Sequence, residues 1–337
     1  MRAWNRLLAD AGWAAPTWPI EHGGRELDID DELAYCEEMS RANAPGPINV
    51  IGVSNIAPAI MAWGTDAQRK RFLEPMLRGD EIWSQGMSEP DAGSDLASLR
   101  TSAVLDGDHF VVNGQKTWNS LGHHADWCQL YVRTDPAAAK HKGISCLLVD
   151  MTLPGIEARP LRTMTGDDSF AELFFSDVRV PVDALLGPLH DGWRVAVTTL
   201  SHERAGVARL HLALSRKLSA LLAAAAPTGR LTDPVYRDRV ALVYSRIACM
   251  RWTTDRALEE AREGQPSAAF GGLAKLAWAQ AEQELASLAM ELVGLSSVTS
   301  DNEWAFGLTS SPQTSIAGGT SEINRNVLAE RALGLPR

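Results

Sequence analysis

The chain has 337 residues, of which 45% are apolar and 22% are charged. This balance is typical of globular proteins and excludes a disordered, collagen-like or mini-protein chain. At roughly 150 residues per domain, the length predicts about two to three structural units. The formal net charge of −10, from 32 basic and 42 acidic residues, argues against a nucleic-acid-binding protein, because such proteins usually carry a basic surface.

The cysteines and the hydropathy pattern point to a reduced, cytoplasmic setting. Cys36, Cys128, Cys146 and Cys249 lie far apart and form no Cys-x-x-Cys pair, which predicts neither a zinc site nor a disulfide framework. No apolar run reaches the ~18 residues of a membrane span. The first residues, Met1 to Pro19, lack the apolar centre of a secretory signal.

Residues 1–83 are expected to form an N-terminal helical domain. Leu33, Cys36 and Met39 recur at helical spacing. A second helix is predicted over residues 66–77, with its end at Gly79, although Pro75 leaves the middle of this helix open.

Residues 84–187 are expected to form a central, mostly antiparallel, barrel-like β domain. Short runs rich in β-branched and aromatic residues alternate here with turn dipeptides. Asp106-Gly107 and Asn113-Gly114 each separate two such runs, a pattern that predicts two hairpins.

Residues 188–337 are expected to form a C-terminal four-helix bundle, which makes the fold class α+β. The helical segments predicted for it are residues 191–226, 234–263, 267–297 and 320–333. Because the first segment contains no proline, it is predicted as one helix of ~36 residues, about 54 Å long.

Two segments of the β domain carry polar and aromatic residues suited to a ligand. Met87 to Asp95 offers backbone N–H groups and serine oxygens, and Gly93 permits close approach; a solvated connector would look the same. Trp118 is able to stack on a planar ring, and the polar residues Asn119 and Ser120 after it are able to hydrogen-bond the edge of that ring. A core tryptophan fits the same pattern.

The start of the last helix is a candidate anion site. Gly318 and Gly319 lead into Thr320, a hydroxyl residue suited to cap the helix. Unpaired N–H groups and the helix dipole favour a phosphate at such a position, but a simple cap has the same sequence.

Glu203 is a candidate general base on the first bundle helix. Helical spacing places it on an otherwise uncharged stripe with Ala196, Thr199, Leu200, Gly206, Val207, Leu210 and Leu214. Burial raises the pKa of a carboxyl and makes it a competent base, whereas an ion pair with a facing helix would leave it structural. The histidines show no metal-binding or triad spacing, so no metal site is expected.

Taken together, these segments resemble the acyl-CoA dehydrogenase family, flavoenzymes that desaturate acyl-CoA thioesters between Cα and Cβ. The resemblance covers nearly the whole chain and begins after the family's first helix. Its motifs, in chain order, are Gly12-Trp13, Pro16 to Pro19, Gly23-Gly24, Met87 to Asp95, Asn113 to Trp118, Asp177 to Pro181, Leu186-Gly187, Gly319 to Ile323 and Arg325-Asn326.

The resemblance implies an FAD site and an acyl-CoA site. By it, the cofactor contacts are Met87, Ser88, Gly93, Ser94, Trp118, Asn119, Ser120, Gly319, Thr320 and Glu322. The substrate contacts are Ser94, Arg204 and the backbone N–H at Gly318.

The chain departs from the family in two motifs. Most members carry the catalytic base in Tyr-Glu-Gly-Thr, but this chain has Ala317-Gly318-Gly319-Thr320. A subset, including the isovaleryl and long-chain enzymes, keeps its base on the first bundle helix just before an arginine, which here is Glu203 before Arg204. The usual Arg-x-x-Phe-Gly, which reaches the FAD of a neighbouring subunit, is replaced by residues 227–230, where Arg230 is the candidate substitute.

The resemblance implies that Glu203 removes the α-proton while a hydride leaves the β-carbon for flavin N5. It also implies electron transfer to an electron-transferring flavoprotein and a homo- or hetero-oligomer, dimer or tetramer. Two alternatives stay open on sequence: a non-catalytic or site-sharing subunit of a heteromeric acyl-CoA dehydrogenase, and a flavin oxidase or monooxygenase on the same fold.

Overall fold

The computed structural model describes residues 1–205, 209–264, 269–298 and 302–336. The chain forms two compact units, one of Met1–Glu32 with Pro45–Glu203 and one of Leu33–Ala44 with Arg204–Arg337. Helices at the N-terminus, a central sheet and C-terminal helices confirm the predicted α+β class. The three domain boundaries drawn from the sequence stay a prediction.

The N-terminal helices are α1 (Arg2–Asp10), α2 (Ile29–Arg41), α3 (Ala57–Trp63) and α4 (Asp66–Arg78), with a π-helical turn at Ile51–Ile56. Helix α4 confirms the prediction over residues 66–77 and continues through Pro75. Thr65 and Gln68 cap it reciprocally, each side chain accepting from the backbone N–H of the other. Gly79, at φ +69°, closes it in the left-handed conformation.

An eight-stranded sheet forms the centre of the first unit. Its strands are β1 (Trp83–Gly86), β2 (Ser102–Asp106), β3 (His109–Ser120), β4 (Trp127–Arg133), β5 (Ile144–Asp150), β6 (Ile156–Leu161), β7 (Phe170–Pro181) and β8 (Leu185–Leu186). The order is β6-β7-β3-β2-β4-β5-β8, with β1 beside β4. Most pairs are antiparallel, as predicted, but β1 and β2 each pair with β4 in parallel.

Only one of the two predicted hairpin turns exists. Asp106-Gly107 joins β2 to β3 as expected, with Asp106 opposite His109. The prediction at Asn113-Gly114 is wrong, because β3 continues through it with a bulge. A Cβ on Gly114 would lie 2.6 Å from Oγ1 of Thr101, so glycine serves close approach of two chain segments here.

The sheet is covered on both faces, which explains why β4 and β5 are buried almost throughout. One face carries a core that includes Leu130 and Leu147. The other packs Tyr131 against the N-terminal helices and against Ala196 of α5 (Gly192–Ala205).

The second unit contains α6 (Leu210–Ala225), α7 (Pro234–Arg262), α8 (Phe270–Val293), α9 (Glu303–Ser310) and α10 (Ser321–Val327). Helices α6, α7 and α8 share one apolar core, and α10 contacts α8. The single helix predicted over residues 191–226 is described as two, α5 and α6. Gly206 to Ala208 between them lie outside the described residues.

Two further findings concern the helices. The last predicted helix, residues 320–333, is observed as α10 followed by a π-helical turn at Leu328–Ala332. Within the described ranges, every helix is too short or too polar to cross a membrane.

Candidate active site

The segment after β1 presents its serines and glycine at the surface of the first unit. Glu89 and Ala92 exchange backbone hydrogen bonds of 3.1 Å in a tight turn, which leaves Gly93 and Ser94 exposed and Ser88 half-buried. A Cβ on Gly93 would have no heavy atom within 4 Å. The side of the turn at Gly93 is therefore open to a ligand.

Trp118 has the geometry of a ligand-facing residue and not of a core residue. Its side chain is 57% exposed, and its φ of +60° is a left-handed conformation that bulky residues rarely adopt. Phe170 packs edge-on against the indole at a centroid distance of 5.8 Å. This contact holds one edge of the ring and leaves much of the indole accessible, and backbone strain of this kind often marks a functional position.

Asn119 and Ser120, the residues after Trp118, differ in burial and in their hydrogen bonds. Asn119 is buried, and its side-chain amide donates to the carbonyl of Gln85, which ties β3 to β1. Its Oδ1 is buried and has no hydrogen-bond partner among the described residues. Ser120 is half-buried, and its carbonyl accepts from Oγ of Ser84 at 3.1 Å. The predicted cofactor contact of Asn119 stays a prediction, with its amide group already engaged inside the protein.

A buried ion pair, which the sequence analysis missed, lies beneath these segments. Nζ of Lys116 donates to Oε1 of Glu89 at 2.9 Å, and the Lys116 side chain is fully buried. Burial acts to raise the pKa of Glu89, but Lys116 and neighbouring N–H groups outweigh it, so the pKa lies below its ordinary value. Burial lowers the pKa of Lys116, an effect that Glu89 opposes. A lysine at an inward position of β3 was the available signal in the sequence.

In the second unit, Gly318 and Gly319 lie immediately before α10, at φ +67° and +91°. Thr320 caps this helix as predicted, with Oγ1 accepting from the N–H of Ile323 at 3.2 Å. The amide of Asn324 donates to the carbonyls of Gly319 and Thr320 at 2.9 and 3.0 Å. The segment is held by contacts within its own turn.

Glu322 and Arg230 have partners inside the second unit. The family resemblance implies a cofactor contact for Glu322 and makes Arg230 the candidate substitute for the cross-subunit arginine. Glu322 is exposed and pairs with Arg325 at 3.3 Å. The guanidinium of Arg230 donates to the carbonyl of Glu291 and lies against Gly294. Arg230 is thus engaged at the C-terminal end of α8.

The candidate base lies on α5. The backbone of Glu203 belongs to this helix, but the side chains of Glu203 and Arg204 are outside the described part of the structure. Ala196 and Thr199, two turns and one turn earlier on the same stripe, are 1% and 0% exposed. The stripe that the sequence assigned to Glu203 is therefore a buried one up to Thr199.

A buried polar cluster fixes α5 against β4. Oγ1 of Thr199 accepts from the amide of Gln129 at 3.3 Å and lies 3.2 Å from the hydroxyl of Tyr131. Burial raises the pKa of Tyr131 well above its ordinary value, so this hydroxyl keeps its proton. The cluster holds α5 one turn before the candidate base.

Metal ligation finds no support in the described ranges, where no three or more His, Cys, Asp or Glu side chains group in a way that could hold a metal ion. The features present are an exposed indole, an open glycine turn and half-buried serines. A planar heteroaromatic group with polar edges fits these features.

The chain matches three family models in order. They are the acyl-CoA dehydrogenase N-terminal domain over residues 2–80, the middle domain over residues 84–178 and the C-terminal domain over residues 190–333. The acyl-CoA dehydrogenase IpdE1 of Mycolicibacterium smegmatis is 41% identical, over 100% of this chain and 88% of that protein.

Solved structures give the same result. The structure named Tcur3481-Tcur3483 steroid ACAD superposes with a TM-score of 0.91 at 31% identity, covering 100% of this chain and 89% of that one. A chain of the ChsE4-ChsE5 complex from Mycobacterium tuberculosis gives a TM-score of 0.86 at 33% identity, with 100% and 90% covered.

Proposed function

The chain belongs to the acyl-CoA dehydrogenase family and is an oxidoreductase whose cofactor is FAD, and from this premise we propose that it desaturates an acyl-CoA thioester between Cα and Cβ with Glu203 as the base. The observation that carries the proposal is the buried stripe of α5, where Ala196 and Thr199 are withdrawn from solvent ahead of Glu203. In the sequence, Glu203 lies at helical spacing from Ala196 and Thr199. The missing carboxylate at Gly318 and the Glu203-Arg204 pair support the same assignment independently.

The residues that would hold the cofactor are those with free surface or free donors. Trp118 offers its indole to the ring system, Ser88 and Ser120 offer hydroxyls to its edges, and Gly93 leaves room for close approach. When bound, FAD supplies the acceptor for the hydride that leaves the β-carbon.

Glu203 removes the α-proton of the substrate in this proposal. The negative charge that develops on the thioester carbonyl needs hydrogen-bond donors, and the backbone N–H at Gly318 is one that survives loss of the family's usual carboxylate. A glycine at position 318, where most members carry the base, removes a side chain from that position, which suits a bulky acyl group. A dry site keeps Glu203 basic and keeps water from the reacting carbons.

We further propose a steroid-derived acyl-CoA as the substrate class. The support is the name of a solved structure, a steroid ACAD, that aligns with the whole of this chain. A polycyclic acyl group would use the space left by the small residues Ala317 and Gly318.

Anaerobic titration of the purified yellow protein tests the proposed reaction. Steroid-derived, branched and long straight-chain acyl-CoAs are added in turn, and loss of the visible flavin absorption is followed. Rapid bleaching by a steroid-derived thioester supports both reaction and substrate class; bleaching by straight chains alone refutes the substrate class. Failure of every thioester, with rapid oxygen consumption on a non-thioester substrate, would indicate an oxidase or monooxygenase instead.

A second candidate function is a subunit that shares its FAD site with a related but different chain. Two solved structures that align with the whole chain carry two-chain names, Tcur3481-Tcur3483 and ChsE4-ChsE5. Arg230, the candidate substitute for the family's cross-subunit arginine, is engaged with Glu291 in its own unit. If this function is correct, the chain purified alone is colourless and gains FAD only on co-expression with a second acyl-CoA dehydrogenase chain.

Whether the chain acts alone or shares its FAD site with a second chain, we propose that the electron acceptor is an electron-transferring flavoprotein. The support is the family resemblance. Reduction of a purified electron-transferring flavoprotein by substrate-reduced enzyme, faster than reoxidation by oxygen, is the expected result.

A further inference from the structure

Lys116 joins the two segments of the first unit that carry the proposed flavin contacts. Its Nζ donates to the carbonyl oxygen of Met87 at 3.0 Å and to Oε1 of Glu89 at 2.9 Å. The Glu89 carboxylate also accepts from the backbone N–H groups of Arg100 and Thr101 at 2.7 and 2.8 Å. A lysine on β3 therefore fixes a main-chain carbonyl of the loop after β1, while Glu89 holds that lysine in place.

The bond to Met87 sets the direction of one peptide group. In a trans peptide the N–H points opposite to the C=O, so turning the Met87 carbonyl inward to Lys116 turns the Ser88 N–H outward. The Ser88 carbonyl is fixed as well, because it accepts from the N–H of Thr117 at 2.9 Å. In the described part of the chain, the Ser88 N–H donates to no acceptor. An oriented, unpaired donor faces away from the buried charges.

Stability alone gives a weak reason for this arrangement. Two charges taken out of water lose much of their solvation, and an apolar pair of similar volume is often as stable or more stable. Most ion pairs of the first unit lie at the surface, such as Arg179 with Asp106, whereas Lys116 is fully buried. A role beyond packing accounts for a lysine there.

We propose that Lys116, held by Glu89, is a positioning residue for the flavin, because it fixes the Met87–Ser88 peptide with the Ser88 N–H directed at the cofactor. The proposal rests on the placement of FAD against Met87–Ser94 and Trp118 given above. Lys116 does not touch the reacting atoms; it acts through the main chain.

The decisive variant combines Glu89→Gln with Lys116→Met, so that neither side chain is left as an unpaired buried charge. The full-length chain, in the assembly in which it is expressed, is stripped of FAD and titrated with FAD while flavin fluorescence is followed. We expect the dissociation constant to rise about tenfold, the effect of losing one well-directed hydrogen bond to a buried partner. The melting temperature of the stripped protein should change little.

Glu89→Gln alone gives the complementary result. Burial pushes Lys116 toward the neutral amine once its partner is uncharged, and a neutral amine still donates to the Met87 carbonyl. We expect lower thermal stability but a dissociation constant for FAD within about threefold of the wild type. A tenfold loss in this variant contradicts the proposal, because it would assign the effect to the carboxylate. This arm also decides the question if the double variant does not fold.

Val180→Ala is the matched structural control. Val180 is 1% exposed in the core of the same sheet, at the end of β7 paired with β3, so its truncation destabilises the sheet without touching Lys116. We expect a lower melting temperature and unchanged FAD affinity. Loss of FAD affinity in step with melting temperature across all variants would overturn the positioning role.

Trp118→Ala separates failure of the inference from failure of the flavin placement. If this variant binds FAD as the wild type does, the placement itself is wrong. If it loses affinity while the double variant stays within twofold of the wild type, the placement stands and the role of Lys116 is refuted.

Discussion

The two segments proposed to hold the flavin are built in opposite ways. In the first unit, Lys116 bonds to Met87 and Glu89 across 29 and 27 residues of sequence, and Asn119 bonds to Gln85 across 34. In the second unit, Thr320 and Asn324 hold the glycine turn by bonds that span only three to five residues. One segment depends on the sheet around it, and the other depends on its own turn.

Because of this difference, a substitution in the first segment should disturb the fold around the sheet, whereas a substitution in the second should disturb only its own turn. A change at Lys116 is felt in β3 and in the loop after β1, because the ammonium group of Lys116 on β3 bonds to Met87 and Glu89 of that loop. A change at Thr320 is felt mainly by α10. The sheet segment is a preformed surface for a cofactor, whereas the glycine segment is a local cap that offers N–H groups.

Lys116→Met should produce the largest loss of stability. It leaves the Glu89 carboxylate buried without its cation, which costs about 3–5 kcal/mol of unfolding free energy. Urea unfolding of the FAD-free protein measures this, with Arg179→Met as the control, since Arg179 and Asp106 form an exposed pair worth little. Equal losses of unfolding free energy in the two variants would show that the buried ion pair contributes no more to stability than the exposed pair.

Trp118→Gly should separate cofactor binding from folding. Glycine adopts φ +60° without strain, so we expect stability within about 1 kcal/mol of the wild type and higher than in Trp118→Ala. Both variants lose the indole, and FAD affinity should fall about tenfold in each. Trp252→Ala, which removes another exposed tryptophan, should leave FAD affinity unchanged. An unaltered FAD affinity in Trp118→Gly would contradict the role given to the indole.

Thr320→Ala should have a smaller and more local effect. Loss of the cap exposes the N–H of Ile323 and costs about 1 kcal/mol, while Thr320→Ser keeps the hydroxyl and should keep most of the stability. Hydrogen exchange of the α10 amides is the appropriate measurement. If faster exchange spread to the first unit, the description of this segment as local would be wrong.

The smallest expected effect is a change in how the melting temperature depends on pH. The pKa of Glu89 lies below its ordinary value of 4.5 in the folded chain, so its contribution to stability is complete above that value and declines as the pH falls through the folded-state pKa. Glu89→Gln lacks this contribution at every pH. The gap in melting temperature between wild type and variant should therefore narrow on acidification below about pH 4.5. A gap that stays constant or widens would show that Glu89 does not titrate in this way.

The extent to which the sequence predicted the structure follows the same division. Helix α4, the cap at Thr320 and the turn at Asp106-Gly107 are set by neighbours in the sequence, and all were predicted correctly. Asn113-Gly114 was misinterpreted because the need for glycine there comes from Thr101, a dozen residues away on a neighbouring segment. Local signals alone do not distinguish a turn from a bulge.

The candidate site shows the same limit. The motif at Met87–Asp95 identified the serines and Gly93, which the structure places at the surface of the first unit, and a second motif identified Trp118, which the structure leaves exposed. The pairing of Glu89 with Lys116 and the cluster of Gln129, Tyr131 and Thr199 escaped notice. Both are formed by residues brought together only when the sheet forms.

The central claim, that Glu203 takes the α-proton, is tested most directly by the rate of anaerobic flavin reduction in Glu203→Gln. The variant should bind FAD and acyl-CoA as the wild type does, yet reduce its flavin about 10²–10⁴ times more slowly, the usual contribution of a positioned general base. Glu157→Gln, which changes an exposed glutamate paired with Arg159, serves as the control and should reduce its flavin at the wild-type rate. A Glu203→Gln enzyme that bleaches as fast as the wild type would contradict the assignment.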